Sequence, residues 1–114
     1  MPKMIEPGET FKDTLAMLPP IEGVARIDLV DEAGGVAASI ENQPGKQGSL
    51  ALYHYLGQAF GALDAAAAEH GLALFAEHVA DARNRPGAHP NVDRLIAIAQ
   101  GGAALNIVVV AAEG

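Results

Sequence analysis

"VARIDLVDEAGGVAASIE", residues 24–41, is the stretch whose reading decides the fold. Ala25, Ile27 and Leu29 alternate with Arg26 and Asp28, the two-residue period of a strand whose successive side chains point to opposite faces. After "DEAGG" the alternation resumes at Val36, Ala38 and Ile40, and the glycines supply the positive φ that a tight reversal uses. This predicts a β-hairpin over residues 24–31 and 35–41, with one face on the core and the other in water.

Toward the N-terminus, Pro2, Pro7 and Gly8 break residues 1–9, which read as a flexible arm. Thr10 offers an N-cap with Asp13 three positions on, and Phe11, Leu15 and Leu18 form a helical stripe. Pro19-Pro20 ends it, because proline pushes the preceding residue out of the α region.

Toward the C-terminus, "NQPGKQG" reads as a loop, and Ser49 is an N-cap candidate for the next helix. "LALYHYLGQAF" is apolar around most of its circumference, as in a well-buried helix. Gly57, Gly61 and Ala65 stand four apart, which suits close packing on a neighbour or a break at Gly61. "LDAAAAEH" is a second helical piece, with Gly71 as its terminating glycine.

"LALFAEHV" fits both periods. Leu72, Phe75, Ala76, Val79 and Ala82 lie on one helical face, while Leu72, Leu74, Ala76 and His78 alternate as a strand would. The strand reading over 72–78 is preferred, because a helix closed at His70-Gly71 is followed at once by Leu-x-Leu. "NRPGAHPN" is a loop, after which either Asn91 caps a helix or Pro90 sits in its first turn. Leu95, Ile96 and Ala99 give that helix its apolar stripe, and Gly101-Gly102 stops it. "ALNIVVVAA" is β-branched and apolar on both faces, as in an interior strand. Residues 72–111 then form a β-α-β unit with two parallel strands and a right-handed crossover. The expected fold is a single α+β domain over residues 10–114: an N-terminal helix, the hairpin, then helices and the β-α-β unit. They build one mixed sheet of about four strands, with helices mainly on one face.

Composition bounds the function. A chain of 114 residues with no cysteine has no disulfide, thiolate metal site or iron–sulfur cluster. Fourteen acids against seven bases give a net charge of −7, which opposes nucleic acid and anionic membrane. The first 41 residues carry eight acids and three bases, the rest six acids and four bases, so an anion site belongs to the later part. The start has no secretory apolar stretch, and no apolar run reaches the roughly 20 residues that cross a membrane. A cytoplasmic protein is the expectation.

Polar residues concentrate in "EHVADARNRPGAHPNVDRL", residues 77–95. Imidazole and carboxylate make His54, His78, Asp81, His89 and Asp93, with Glu77 beside them, candidate ligands for a divalent metal. They lack any short ligand spacing, so the plainer alternative is a loop histidine, a hydrogen-bonded histidine and a helix-start aspartate. A second candidate is an anion seat at "PGKQGS", a helix start preceded by glycines. It would use Gly45, Lys46, Gly48 and Ser49, with Arg83 and Arg94 from the later loop. It is not a Walker sequence, since the glycine–lysine–serine order is wrong. No nucleophile–base pair or carboxylate pair marks catalysis.

Taken together, "RIDLVDEAGG", "IENQPGKQGSLALYH", "GLALFAEH", "DARNRPGAHPN" and "DRL" resemble a family of small bacterial proteins known only as a domain of unknown function. The likeness spans residues 10–100. It implies a bacterial single-domain protein, and no activity or catalytic residue. The expectation is therefore a small binding or interaction protein without a cofactor, working through the 42–49 and 78–94 loops. Its expected partners are a second copy of the chain, another protein or a small anion, and neither nucleic acid nor membrane. The homodimer would form through the alanine-rich helix or a sheet edge.

Overall fold

In the computed structural model, the hairpin residues form β1 (Val24–Val30) and β2 (Val36–Glu41), paired antiparallel with Ile27 opposite Ile40 and Leu29 opposite Ala38. The structure describes residues 10–18, 21, 23–43, 47–85 and 87–111. The arm at 1–9, Pro19-Pro20 and the Pro44–Lys46 segment lie outside them. The turn is tied by Asp31, whose Oδ1 accepts the N–H groups of Ala33 (3.0 Å) and Gly35 (2.9 Å), while Gly34 takes φ +88°. On the solvent face Arg26 and Ser39 both donate to Asp28 Oδ1, at 3.0 and 2.7 Å. These bonds, Ser39 first and then Arg26, hold the Asp28 carboxyl below its ordinary range.

Thr10 caps α1 (Phe11–Leu15) by accepting the Asp13 N–H at 3.2 Å. The buried helix after the loop is α2 (Gln47–Phe60), and Gly61 breaks it with φ +81°. Ser49 therefore lies inside the first turn of α2 and is not its cap, because the helix already begins at Gln47. Then follow β3 (Ala62–Leu63), α3 (Ala65–Phe75), α4 (Glu77–Asn84), α5 (Pro90–Ala99) and β4 (Leu105–Ala111). Pro90 takes the first-turn position of α5, and Gly101 (φ +110°) ends the helix, with Gly102 donating back to Ala97 O.

The α+β class and the four strands are as the sequence suggests, but the β-α-β unit does not form. Residues 72–75 complete α3, and His78 lies in α4. Asp64 starts α3 by accepting the Ala67 N–H at 2.9 Å, and "LALFAEH" contains no β-branched residue to favour a strand. Gly71 does not end the helix. It sits buried in mid-helix, where an added Cβ would lie 2.8 Å from Leu95 Cδ1 and 2.9 Å from Leu56 Cδ1. Its bare backbone lets α3 close on α2 and α5. The helix instead turns into α4 at Ala76, which adopts φ 52° and ψ −119°.

The sheet has order β2-β1-β4-β3, and every pairing is antiparallel rather than mixed. Val109 stands opposite Ile27 and Ile107 opposite Leu29, on the face toward α2. Gly57 gives α2 its close approach there, 3.0 Å from Ile107 Cγ2 for an added Cβ. The core joins Ile27, Leu29 and Ile40 of the sheet to Leu52, Tyr53 and Leu56 of α2 and to Leu74, Val92 and Leu95 of α3 and α5. β4 is interior in strand order, but it is not covered on both faces. Val108 and Val109, on opposite faces, are 43% and 44% exposed, and β3 is two residues long and pairs only with Leu105 and Asn106. Among the described residues no helix is long and apolar enough to cross a membrane.

Candidate functional site

The start of α2 and the α4–α5 corner meet around a cavity of about 410 Å³. Phe11 of α1 and Phe75 at the end of α3 form one wall, and Gly48 and Ser49 of α2 form another. His78 of α4 and the stretch Ala88–Val92 complete the lining. Segments far apart in sequence are locked together here by side-chain hydrogen bonds. Glu77 Oε1 accepts the Phe11 N–H at 2.8 Å, which holds the Glu77 carboxyl below its ordinary range. Tyr53 donates its hydroxyl proton to Asn91 O at 2.6 Å. Burial pushes the Tyr53 pKa up to about 12, against the opposing pull of Arg94, so the phenol keeps the proton it donates.

Four rings run in sequence along the cavity. Phe11 and Phe75 stack at 5.2 Å, Phe11 meets His78 edge-on at 5.0 Å, and His78 lies 5.4 Å from His89. Behind His89 stands Asp81, 2.5 Å from His89 Nε2 and bonded also to Arg85 one helical turn away. The Arg85 guanidinium first, and the His89 ring second, hold the Asp81 carboxyl well below the usual carboxylate range. A carboxylate on one ring nitrogen fixes the orientation of an imidazole and leaves its other nitrogen for a ligand.

Of the residues proposed for an anion seat, Gly48 and Ser49 line the cavity, while Gly45 and Lys46 lie outside the described residues. Arg83 is exposed on α4 and does not line the cavity. Arg94 is committed elsewhere, bonded to Asn91 Oδ1 (2.9 Å) and Tyr53 Oη (3.2 Å), with its guanidinium 5.8 Å from the Tyr53 ring centre.

Of the residues proposed for metal, His78, His89 and Asp81 are neighbours, but Asp93 accepts the Gly87 N–H at 3.0 Å and braces the loop. His54 lies within α2, with burial lowering its pKa and its Nδ1 without a hydrogen-bond partner among the described residues. No three histidine, aspartate or glutamate side chains gather as a metal-holding group among the described residues.

Sequence reasoning did not find Phe11 and Phe75 as cavity walls. It also passed over the Asp81–Arg85 pair, although its i, i+4 spacing is legible in "DARNR". A second cluster, Tyr55 Oη at 2.8 Å from His70 Nε2 beside Phe60, was likewise unforeseen.

The fold and cavity define a small α+β domain with one sheet, a helical layer and a ring-lined pocket between helix ends. The chain belongs to the family described as uncharacterised proteins conserved in bacteria, DUF2322, whose pattern matches residues 11–109. No curated protein and no solved structure matches the chain.

Proposed function

We propose that the chain is a small ligand-binding protein whose working surface is the cavity between the start of α2 and the α4–α5 corner. The observation that carries this reading is the cavity lining. Apolar rings lie beside polar groups that the fold leaves uncommitted: among the described residues nothing hydrogen-bonds the Ser49 hydroxyl or the His78 ring. An apolar recess with a few convergent polar groups is the usual form of a small-molecule site. The test is a thermal-shift screen of small organic compounds on wild type and on Ala88→Trp, which fills the cavity from an exposed loop position. A ligand at one hundred times its dissociation constant adds about 2.7 kcal/mol. Hits whose shifts vanish in Ala88→Trp support the reading. If every hit survives that substitution, the cavity is not the site.

The free edge of β4 favours a second role, self-association. From Ile107 to Ala111 this edge is paired by no described strand on the side away from β1, and the run Asn106–Ala111 carries no charge, lysine or proline to guard it. A second copy fits best, because antiparallel pairing of two identical uncharged edges brings no like charges together in a chain of net charge −7. The alanine-rich helix is the poorer surface, since Ala67 and Ala68 are buried in the chain's own core. Light scattering tests this: the expected mass is twice 11.7 kDa, returning to the monomer in Val108→Lys. A wild-type monomer at micromolar concentration refutes it.

A further inference from the structure

We infer that the cavity is built for a planar organic acid, its ring against Phe11 and Phe75 and its carboxylate toward His78 and His89. This rests on the reading of the cavity as a ligand site and adds the chemical class of the ligand.

Shape is the first argument. The stacked Phe11–Phe75 pair continues through His78 to His89 in an unbroken series of ring contacts of 5.0 to 5.4 Å. A flat apolar body covers the phenylalanine end, and aromatic surfaces favour offset stacking or edge contact with a further ring. The lining also presents hydrogen-bonding groups, the imidazoles of His78 and His89 at the far end of that series and the Ser49 hydroxyl of α2.

Charge is the second argument. Among the described residues no aspartate or glutamate lines the cavity. Asp81 stands behind His89 rather than in the lining, and its single negative charge is already matched by Arg85. The Asp81–Arg85 pair therefore brings no net negative charge to the edge of the cavity beside His89. Glu77 and Asp93 keep their charge but lie outside the lining, their carboxylates turned to the Phe11 and Gly87 N–H groups respectively. In a chain of net charge −7 the cavity is thus a place where an acid meets hydrogen-bonding groups and, among the described lining residues, no acidic side chain. A carboxylate there accepts charge-assisted hydrogen bonds, which are stronger than those of a neutral acceptor.

The experiment compares three probes by isothermal titration and by amide shifts in NMR: benzoate, its neutral analogue benzamide, and inorganic phosphate. Benzoate is expected to bind at least tenfold tighter than benzamide, to shift the amides of residues 75–78 and 88–92, and to outbind phosphate. His89→Gln and His78→Gln, which keep a polar side chain, should each narrow the gap between benzoate and benzamide and leave benzamide unchanged. Equal binding of benzoate and benzamide at those amides overturns the inference while leaving the cavity a ligand site. Tighter binding of phosphate than benzoate overturns the requirement for a ring. Absence of benzoate binding overturns the inference outright, whereas the cavity reading itself stands or falls on the Ala88→Trp comparison.

Discussion

Replacing Gly71 by alanine distinguishes a glycine buried between helices from one that ends a helix. In a freely exposed helix interior the exchange stabilises by about 1 kcal/mol, because alanine has less backbone entropy to lose. Here the new methyl would stand 2.8 Å from Leu95 Cδ1 and 2.9 Å from Leu56 Cδ1, and both leucines are fully buried. Overfilling a packed core costs about 1–3 kcal/mol, so the net expectation is a loss of about 1 kcal/mol. For a domain of this size that lowers Tm by about 4–8 °C. The decisive measurement is a urea-denaturation cycle with Gly71→Ala, Leu95→Ala and the double variant. Leu95→Ala alone costs about 2–5 kcal/mol. In the double variant the methyl introduced by Gly71→Ala enters the space that Leu95 vacates, and the exchange recovers its helical gain. The two losses should therefore fall short of additivity by about 1 kcal/mol or more. A turn glycine would behave otherwise: alanine would strain a left-handed backbone whatever stands at position 95, and the two costs would add. Additive costs, or a Gly71→Ala variant more stable than wild type, would refute the close approach of α3 to α5.

Two further outcomes follow from the backbone and the charges. Ala76 holds φ 52° and ψ −119°, a region only glycine enters freely, at a cost of about 1–3 kcal/mol. Ala76→Gly relieves this against about 0.4–1 kcal/mol of added unfolded-state entropy, so the urea midpoint should rise by the equivalent of about 1 kcal/mol; a fall would mean that the α3–α4 corner is not strained. The carboxyls of Asp81, Asp28 and Glu77 are all held below their ordinary values by Arg85, Ser39 and the Phe11 amide respectively. A group whose folded pKa is depressed contributes stability at neutral pH and loses it as pH falls below its unfolded value of about 4. The stability curve of Asp81→Asn should therefore be flatter than wild type below that pH, and curves of equal slope would show that Arg85 and His89 do not hold the carboxylate.

The hairpin was legible because Ile27, Leu29, Val36, Ala38 and Ile40 keep a strict two-residue period and Asp31 and Gly34 sit where a reversal needs them. Residues 72–78 were not, because both periods fit that short run. The choice there is made by partners distant in sequence, Leu56 and Leu95, which need a helix with no side chain at Gly71. β3 is two residues long and has no period to read, yet its shortness is what leaves the outer edge of β4 unpaired by any described strand from Ile107 onward. At the site, polar chemistry drew attention to Ser49, His78, Asp81 and His89. The walls did not announce themselves, since Phe11 and Phe75 look like ordinary core residues until the fold brings them to one cavity.

α1 is five residues long, well below the length at which a helix persists in water unaided. It stays in place through buried Thr14, through the Phe11 ring against Phe75 and His78, and through the grip of Glu77 on the Phe11 amide. For α1 to swing away these contacts must break, together with the packing of Phe11 and Leu15 on α2 at Gly48, while Ile27, Leu52, Leu56 and Leu95 belong to the core of the sheet and the longer helices. Local opening of this kind costs a fraction of the free energy of global unfolding. On the proposed reading of the cavity as a ligand site, a ligand's residence time would follow how often Phe11 lets go rather than how firmly the rest of the domain is folded.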